Sequence, residues 1–426
     1  MNASSRRLTL GGLVAVTYFM VSGGPYGLED LVGKAGYAMA LAVIVLTPVL
    51  WCLPTALMVG ELAAAIPSEG GYYIWVRRGM GDFWGYMEAW LTLAASAFDM
   101  AIYPTLFVAY LGFVTPEFVR GWHGAAIGVA LIASCVAWNL RGAKAVGMSS
   151  TIFGVAIVVP FVALIMTALL RSHAGVTRQA ATGDLLGGIS IAMWNYMGWD
   201  NASTVAQEVE EPQRNYPRAM LYALVLVVVS YVLPVAVCWY TRVPLSAWST
   251  GSWVSIGGSL GGEWLRIAIV IGGLISTAGI LNSLVLSYSR LPLVLAEDGY
   301  LPRALTKVNS AGVPSVALLA CGIAWAACLG FNFEHLVLVD ILLYGSGLTL
   351  EFIALALLRW REPGLERPFR VPGGQAVAWS LGVAPVVLLV FAALRAEDEG
   401  LTMGAGLVAL GVGLYAVKRV ADKFRR

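Results

Sequence analysis

The sequence predicts an all-α membrane protein of twelve transmembrane helices. Three observations carry that prediction: a membrane composition, apolar runs of spanning length, and a one-sided distribution of positive charge. Of 426 residues, 59% are hydrophobic and 12% charged, with a mean hydropathy of +0.77; a soluble domain carries about twice that charged fraction. Apolar runs recur from Leu8 almost to the C-terminus, each near the ~20 residues that cross ~30 Å of hydrocarbon as helix. No stretch is left over for a soluble domain.

Gly, Pro and charge clusters punctuate helices near 9–33, 37–66, 82–113, 122–140, 145–170, 184–208, 217–241, 263–296, 313–330, 335–359, 374–394 and 400–417. An even count puts both termini on one side, and Lys and Arg indicate which. With the N-terminus inside, the outer segments hold Lys34, Arg120, Arg171, Arg178, Arg242, Arg266 and Arg395, and the other 20 of 27 basic residues face the cytoplasm. That asymmetry is the one expected of a multi-pass inner-membrane protein with cytoplasmic tails at 1–8 and 418–426. Arg6-Arg7 ahead of an apolar run could pass for a secretory or twin-arginine leader. The run instead breaks at Gly23-Gly24-Pro25, shows no small-x-small cleavage site and leads into further spans, so it reads as the first helix.

Several function classes are excluded. A net charge of +2 is too small to suggest nucleic acid. His123, His173 and His335 fall in predicted loops, and Cys52, Cys135, Cys238, Cys321 and Cys328 lie in apolar segments without metal-like spacing. Neither a disulfide, a metal site nor a cofactor is expected. The spans hold no His-Glu-x-x-His motif, Ser/His pair or Cys cluster, so an intramembrane enzyme is not expected.

Two spans are interrupted. The first reads Thr17-Tyr-Phe-Met-Val-Ser-Gly-Gly-Pro-Tyr-Gly-Leu-Glu-Asp30. Two glycines and a proline predict unwinding at Ser22–Gly24 and a restart at Pro25. The sixth contains Trp194-Asn-Tyr-Met-Gly-Trp-Asp-Asn201, again a Gly among polar groups. Backbone groups freed at mid-membrane survive only if buried or lining a polar cavity, and the expectation is that they serve a cargo. The breaks fall at matching places in two successive five-helix blocks, 9–171 and 184–359, with 374–417 outside them. Five is odd, so the second block inserts upside down, an arrangement that places a solute between two discontinuous helices.

Each carboxylate in the spans costs about 2.5 kcal/mol or more at the bilayer centre and so needs a partner or a role. Asp200 lies in the second break, where it can pair with a cationic amine, or cap freed amides. Asp99 and Glu88, eleven residues apart, share one stripe of span 3 about 16 Å from end to end. Tyr103, at i+4 from Asp99, can reach the same face. Glu29, about one turn beyond Pro25, is placed to look into the cavity, whereas Asp30 can reach the interface beside Lys34. Glu61 and Glu351 read as ion-pair members. Tyr26, Tyr103, Trp194, Tyr196 and Trp199 surround the breaks, and aromatic faces attract ammonium groups.

At these residues the chain resembles the amino acid-polyamine-organocation superfamily, and within it the polyamine uptake branch of proton symporters. The matching segments are Val21-Ser-Gly-Gly-Pro-Tyr-Gly-Leu-Glu-Asp30, Ile66-Pro-Ser-Glu-Gly-Gly-Tyr-Tyr-Ile-Trp75, Phe98-Asp-Met-Ala-Ile-Tyr-Pro104, and Trp194 to Asp200 with Glu208-Val-Glu-Glu-Pro212. The resemblance implies a leucine-transporter-like 5+5 inverted repeat with discontinuous helices 1 and 6, proton-coupled import and alternating access. Members that couple through a lysine in the fifth span have no counterpart here, since no Lys occurs between Lys144 and Lys307; the coupling group is then another one, or coupling is absent. The expectation is a proton on Asp200 or Asp99, with sodium held near Ser276 and Thr277 as the alternative. An amino acid would set its carboxylate on the amides of Ser22, Gly23 and Gly24. A polyamine would want the spaced acids Asp200, Asp99 and Glu29. The second is the expectation, with an amino acid permease of the same fold, or a sensor that binds without transporting, as alternatives.

Overall fold

The computed structural model describes residues 7–171, 185–330, 333–394 and 398–425. Residues 1–6 of the predicted tail, His173, Arg178, Arg395 and Arg426 lie outside the described residues, as do the side chains of Arg171 and His335. The helices, in order, are α1 (Leu10–Val21), α2 (Glu29–Ala35), α3 (Tyr37–Thr47), α4 (Leu53–Ala65), α5 (Gly71–Met80), α6 (Asp82–Gly112), α7 (Trp122–Asn139), α8 (Ala143–Arg171), α9 (Leu185–Asn195), α10 (Pro212–Tyr240), α11 (Trp253–Gly261), α12 (Glu263–Tyr288), α13 (Arg290–Glu297), α14 (Ser315–Ala327), α15 (Phe333–Arg361), α16 (Gly374–Ser380), α17 (Val383–Ala393) and α18 (Asp398–Arg425). Among the described residues there is no strand, only isolated bridges such as Leu8 with Val209.

Among the described residues, nine segments are long and apolar enough to cross a membrane, and Leu10–Val21 and Ser315–Ala327 are shorter apolar helices. The predicted spans 9–33 and 184–208 fall short of that length because each is divided by its break. Span 37–66 is one continuous segment with a π-turn at Pro48–Cys52 between α3 and α4. Pro54 has no N–H for the carbonyl four residues earlier, and a wider turn absorbs the mismatch. Thr55 Oγ1 donates to Trp51 O at 2.7 Å within that stretch. Span 263–296 bends at Ser289, where α12 gives way to α13. The helices α5 and α11 were not anticipated; both are short and lie in predicted loops.

Burial sorts the bundle into a centre and a rim. About the most apolar stretches of α12 and α15, 72% is buried, against 17% for α18 and 22% for the α16–α17 segment. α6 packs along α15 and α12, while α1 is held by α8, α10 and α12. Rim side chains such as Val155, Ile323 and Val387 are exposed apolar groups, the surface that hydrocarbon covers at no cost.

One buried ion pair ties the centre to its neighbours. Glu61 on α4 has no exposed surface; it accepts from Arg359 on α15 and from the Val371 N–H at 2.8 Å, and forms an ion pair with Arg367 at 3.2 Å. Arg359 also donates to Gly374 O at 2.7 Å. A buried charge is tolerated when its partners saturate it in this way. Glu61 is thus an ion-pair member, as its place in the sequence suggests; Glu351 is not, and its surroundings are described below.

Candidate functional site

The first break begins where α1 ends at Val21. The Ser22 N–H still donates to Tyr18 O at 2.7 Å, and the Gly24 N–H to Ser22 Oγ at 3.1 Å. The helix does not restart at Pro25. Gly24 and Gly27 both hold positive φ, +87° and +92°, a conformation incompatible with a continuing right-handed helix. α2 therefore starts at Glu29. Its carboxylate accepts from the Gly27 N–H at 2.6 Å and from Tyr110 OH at 2.9 Å. Glu29 thus closes its own helix end instead of facing the cavity. Tyr26 is anchored by its hydroxyl to Ile269 O at 2.8 Å.

In the second break, α9 stops at Asn195, and a turn leads to 3-10 turns at Asn201–Thr204 and Ala206–Glu208. Tyr196 and Trp199 are fully buried. The Tyr196 hydroxyl donates to Ile44 O at 2.8 Å and the Trp199 indole to Tyr196 O at 3.0 Å. These two aromatics hold the break rather than line a cavity. Asp200 makes no side-chain cap on the turn that follows it.

Side chains of neighbouring helices take most of the freed carbonyls. Ser276 donates to Gly23 O at 2.5 Å, Trp253 to Pro25 O at 2.9 Å, Asn195 to Gly27 O at 3.2 Å, Tyr231 to Asn195 O at 2.7 Å and Tyr216 to Ala202 O at 2.7 Å. Thr277 bonds back into its own helix, to Gly273 O at 3.0 Å. The fold itself thus satisfies most of the peptide groups that the breaks strand, as buried backbone requires. What it leaves facing empty space is carboxyl groups.

Two small cavities lie between the breaks, each about 20 Å3, or room for about one water. They share Val21, Tyr103 and Trp194 as a partition. One is lined as well by Ser22, Gly23, Tyr26, Asn195 and Ser276. The other is lined by Asp99 and by Asp340, which the sequence reading did not single out, with Gly198, Asn201, Tyr288 and Tyr344. Asp99 is 5% exposed and Asp340 3%. Tyr103 donates to Asp99 Oδ1 at 2.6 Å and Tyr288 to Oδ2 at 3.1 Å. Tyr103 and Trp194 stack at 6.4 Å, forming an aromatic wall beside the two acids.

Asp200 points away from that cavity. Tyr344 donates to its Oδ1 and accepts from the Gly198 N–H at 2.9 Å, and the Glu351 carboxyl lies within hydrogen-bonding reach. Glu88 acts electrostatically on this group and is bonded to Thr92 at 3.0 Å. The sequence held a signal for both layers. Glu88 and Asp99 on α6 are eleven residues apart, and so are Asp340 and Glu351 on α15. Eleven residues complete just over three turns and rise about 16 Å, so each helix shows two acids on one face. α6 packs against α15, with Asp99 and Asp340 at one level and Glu88 and Glu351 at the other.

One end of the bundle is closed by charge and backbone pairing. Arg290, whose side chain is 1% exposed, holds Glu208 at 2.5 Å and Glu69 at 3.4 Å. Burial pushes the Glu69 carboxyl up against the pull of Arg290. Around them, the Leu8 N–H donates to Glu208 O at 2.7 Å, the Glu210 N–H to Leu8 O at 2.9 Å and the Gly70 N–H to Thr204 O at 3.1 Å. Arg77 ties α5 to Asp298 at 2.5 Å nearby. Since both acids are partly exposed, removing Arg290 should cost about 1–3 kcal/mol, below the figure for a fully buried pair. Arg290→Ala is expected to speed amide exchange at Leu8, Gly70 and Glu210 by roughly 10- to 100-fold, measured by hydrogen–deuterium exchange; unchanged exchange would show that the backbone pairing closes this end alone.

An all-helical bundle with apolar spanning segments and two broken helices meeting around an acid-lined cavity has the build of a multi-pass membrane transporter. The chain matches the amino acid permease family over residues 8–408. It is 32% identical over 431 residues to "Polyamine transporter PUT1" of Oryza sativa subsp. japonica, covering 100% of this chain and 81% of that protein. Identity to "Polyamine transporter RMV1" of Arabidopsis thaliana is 32% over 391 residues, 90% of this chain and 79% of the relative. An uncharacterised transporter of Mycobacterium tuberculosis is 26% identical over 415 residues, 92% and 86% of the two chains. The protein belongs to the amino acid permease family. Its family and relatives are transporters, not enzymes.

Proposed function

We propose that this chain is a secondary active transporter that imports a polyamine or related amine together with a proton by alternating access across the cell inner membrane. In this reading, 9–171 and 184–359 are inverted repeats, 374–417 are two additional helices, both termini are cytoplasmic, and Arg290 closes the cytoplasmic end. The observation that carries it is the pairing of Asp99 with Asp340 in the cavity between the breaks. Two buried carboxyls repel each other in the empty cavity and are relieved by a ligand with spaced ammonium groups. The Tyr103–Trp194 wall adds cation–π attraction for the same ligand.

An α-amino acid fits this site less well. The Ser22 and Gly24 amides already have acceptors, and Glu29 occupies the Gly27 amide where an external carboxylate could sit. The names of the two plant relatives point to the same substrate class. Each cavity is far smaller than a polyamine, so the arrangement corresponds to a closed stage of the cycle, and binding requires the broken segments to part.

The test is uptake by the full chain in proteoliposomes, comparing labelled spermidine and putrescine with leucine and arginine, with and without an inward proton gradient. Accumulation of the amines with the gradient is expected. Accumulation of amino acids alone would overturn the substrate; equal amine accumulation without the gradient would overturn proton coupling.

A further inference from the structure

We propose that Glu88, Asp200 and Glu351 form a proton-holding pocket separate from the amine-facing pair, and that the driving proton is carried there. The inference rests on the reading of the chain as a proton-coupled amine carrier and names the groups that perform the coupling.

The three acids come from three elements: Glu88 from α6, Asp200 from the unwound segment after α9, and Glu351 from α15. They are 0%, 1% and 1% exposed. Glu88 Oε2 and Glu351 Oε2 have no hydrogen-bond partner. The groups that face them are Thr92 on α6, Tyr344 on α15 and Tyr72 on α5, and the charged groups acting on them are one another. Glu61 is the internal control. It is equally buried, yet two guanidinium groups and a backbone amide saturate it.

Isolated anions in such a place cost several kcal/mol each, and two carboxyls within hydrogen-bonding reach need a proton between them. The three carboxyls therefore store a proton among them without any basic partner, the Asp200–Glu351 contact holding it and Glu88 acting on both.

Its position links it to both the cargo and the motion. Tyr344 lines the amine cavity while its hydroxyl bonds Asp200 and Gly198. Asp200 sits on a broken segment and Glu351 on a continuous helix. When the two part, the shared proton loses its second oxygen, the remaining O–H bond breaks to water on the open side, and both carboxyls are hydrated. Closing from the opposite side takes one proton from water back into the contact. One proton is bound and one released per cycle, with no other reactant.

Glu351→Gln and Glu88→Gln test this, with purified protein in detergent and in vesicles carrying an internal pH dye. Each variant is expected to bind spermidine within about threefold of wild type and to retain amine exchange, while gradient-driven accumulation and amine-evoked acidification fall by at least ~10-fold. Glu351→Asp should restore both. If both Gln variants accumulate amine and protons like a coupled wild type, this inference is wrong and the carrier reading stands. If wild type itself shows no gradient-driven uptake, both fall. Should one Gln variant fail to run as a single species on size exclusion, the same outcomes for the other decide.

Discussion

Asp99→Asn and Asp340→Asn are each expected to weaken a diamine severely, whereas a monoamine of similar length should respond strongly to only one of them. Both side chains line one small cavity and neither has a basic partner there. Removing one member of a buried, hydrogen-bonded charge pair costs about 2–5 kcal/mol, or roughly thirtyfold and upward in affinity. A diamine that bridges the acids bears that loss in either variant. A monoamine can engage one carboxyl at a time, and Asp99 is the better candidate because Tyr103 and Tyr288 fix both its oxygens. Equilibrium binding of putrescine and butylamine to wild type and the two variants provides the comparison. Equal losses for both ligands in both variants would point to a nonspecific effect on the cavity, and no loss in either would remove the acids from the binding site.

Much of this was legible in the sequence because membrane-spanning chains report their solvent directly. Apolar runs gave the long helices, and Gly-Gly-Pro and the Gly-Trp-Asp segment marked both breaks. The restart at Glu29 was less legible. It depends on Gly27 adopting positive φ after Gly24 has done so, and on Glu29 capping the Gly27 amide, whereas the local rules favour Pro25 as a first helical residue. The direction of Asp200 was hidden for a different reason. An unwound segment has no periodicity, so nothing in the chain itself says which side its carboxylate faces. Asp340 stands near the predicted start of a span, where acids are ordinary. Only its eleven-residue spacing to Glu351, repeating that of Asp99 and Glu88, hinted that α15 carries the complement of α6. Ser22 and Gly23 do line a cavity, Gly24 does not, and the backbone of all three is largely committed.

Gly198→Ala is expected to abolish transport while Gly24→Ala lowers it modestly, although both positions sit in breaks with nearly equal φ, +92° and +87°. Each substitution forces an L-residue into the left-handed region, at about 1–2 kcal/mol. The neighbours differ. A methyl at Gly24 would meet nothing closer than an Ile157 methyl at 3.5 Å, an ordinary contact. At Gly198 it would stand 2.3 Å from Met20 O and 3.2 Å from the carbon behind it. A backbone carbonyl in α1 cannot rotate aside like a side chain, so the two broken segments must separate, adding about 1–3 kcal/mol of overpacking. That penalty falls only on the stage in which the segments touch. At its upper end, near 3 kcal/mol, that overpacking alone shifts the closed population by roughly 100-fold relative to open stages. The prediction is therefore a protein that folds and inserts, shows faster amide exchange around the breaks, and gives uptake reduced by about two orders of magnitude. Equal activity of the two variants would mean that the approach of Gly198 to Met20 is not part of the cycle, and that closure over the acids is achieved elsewhere.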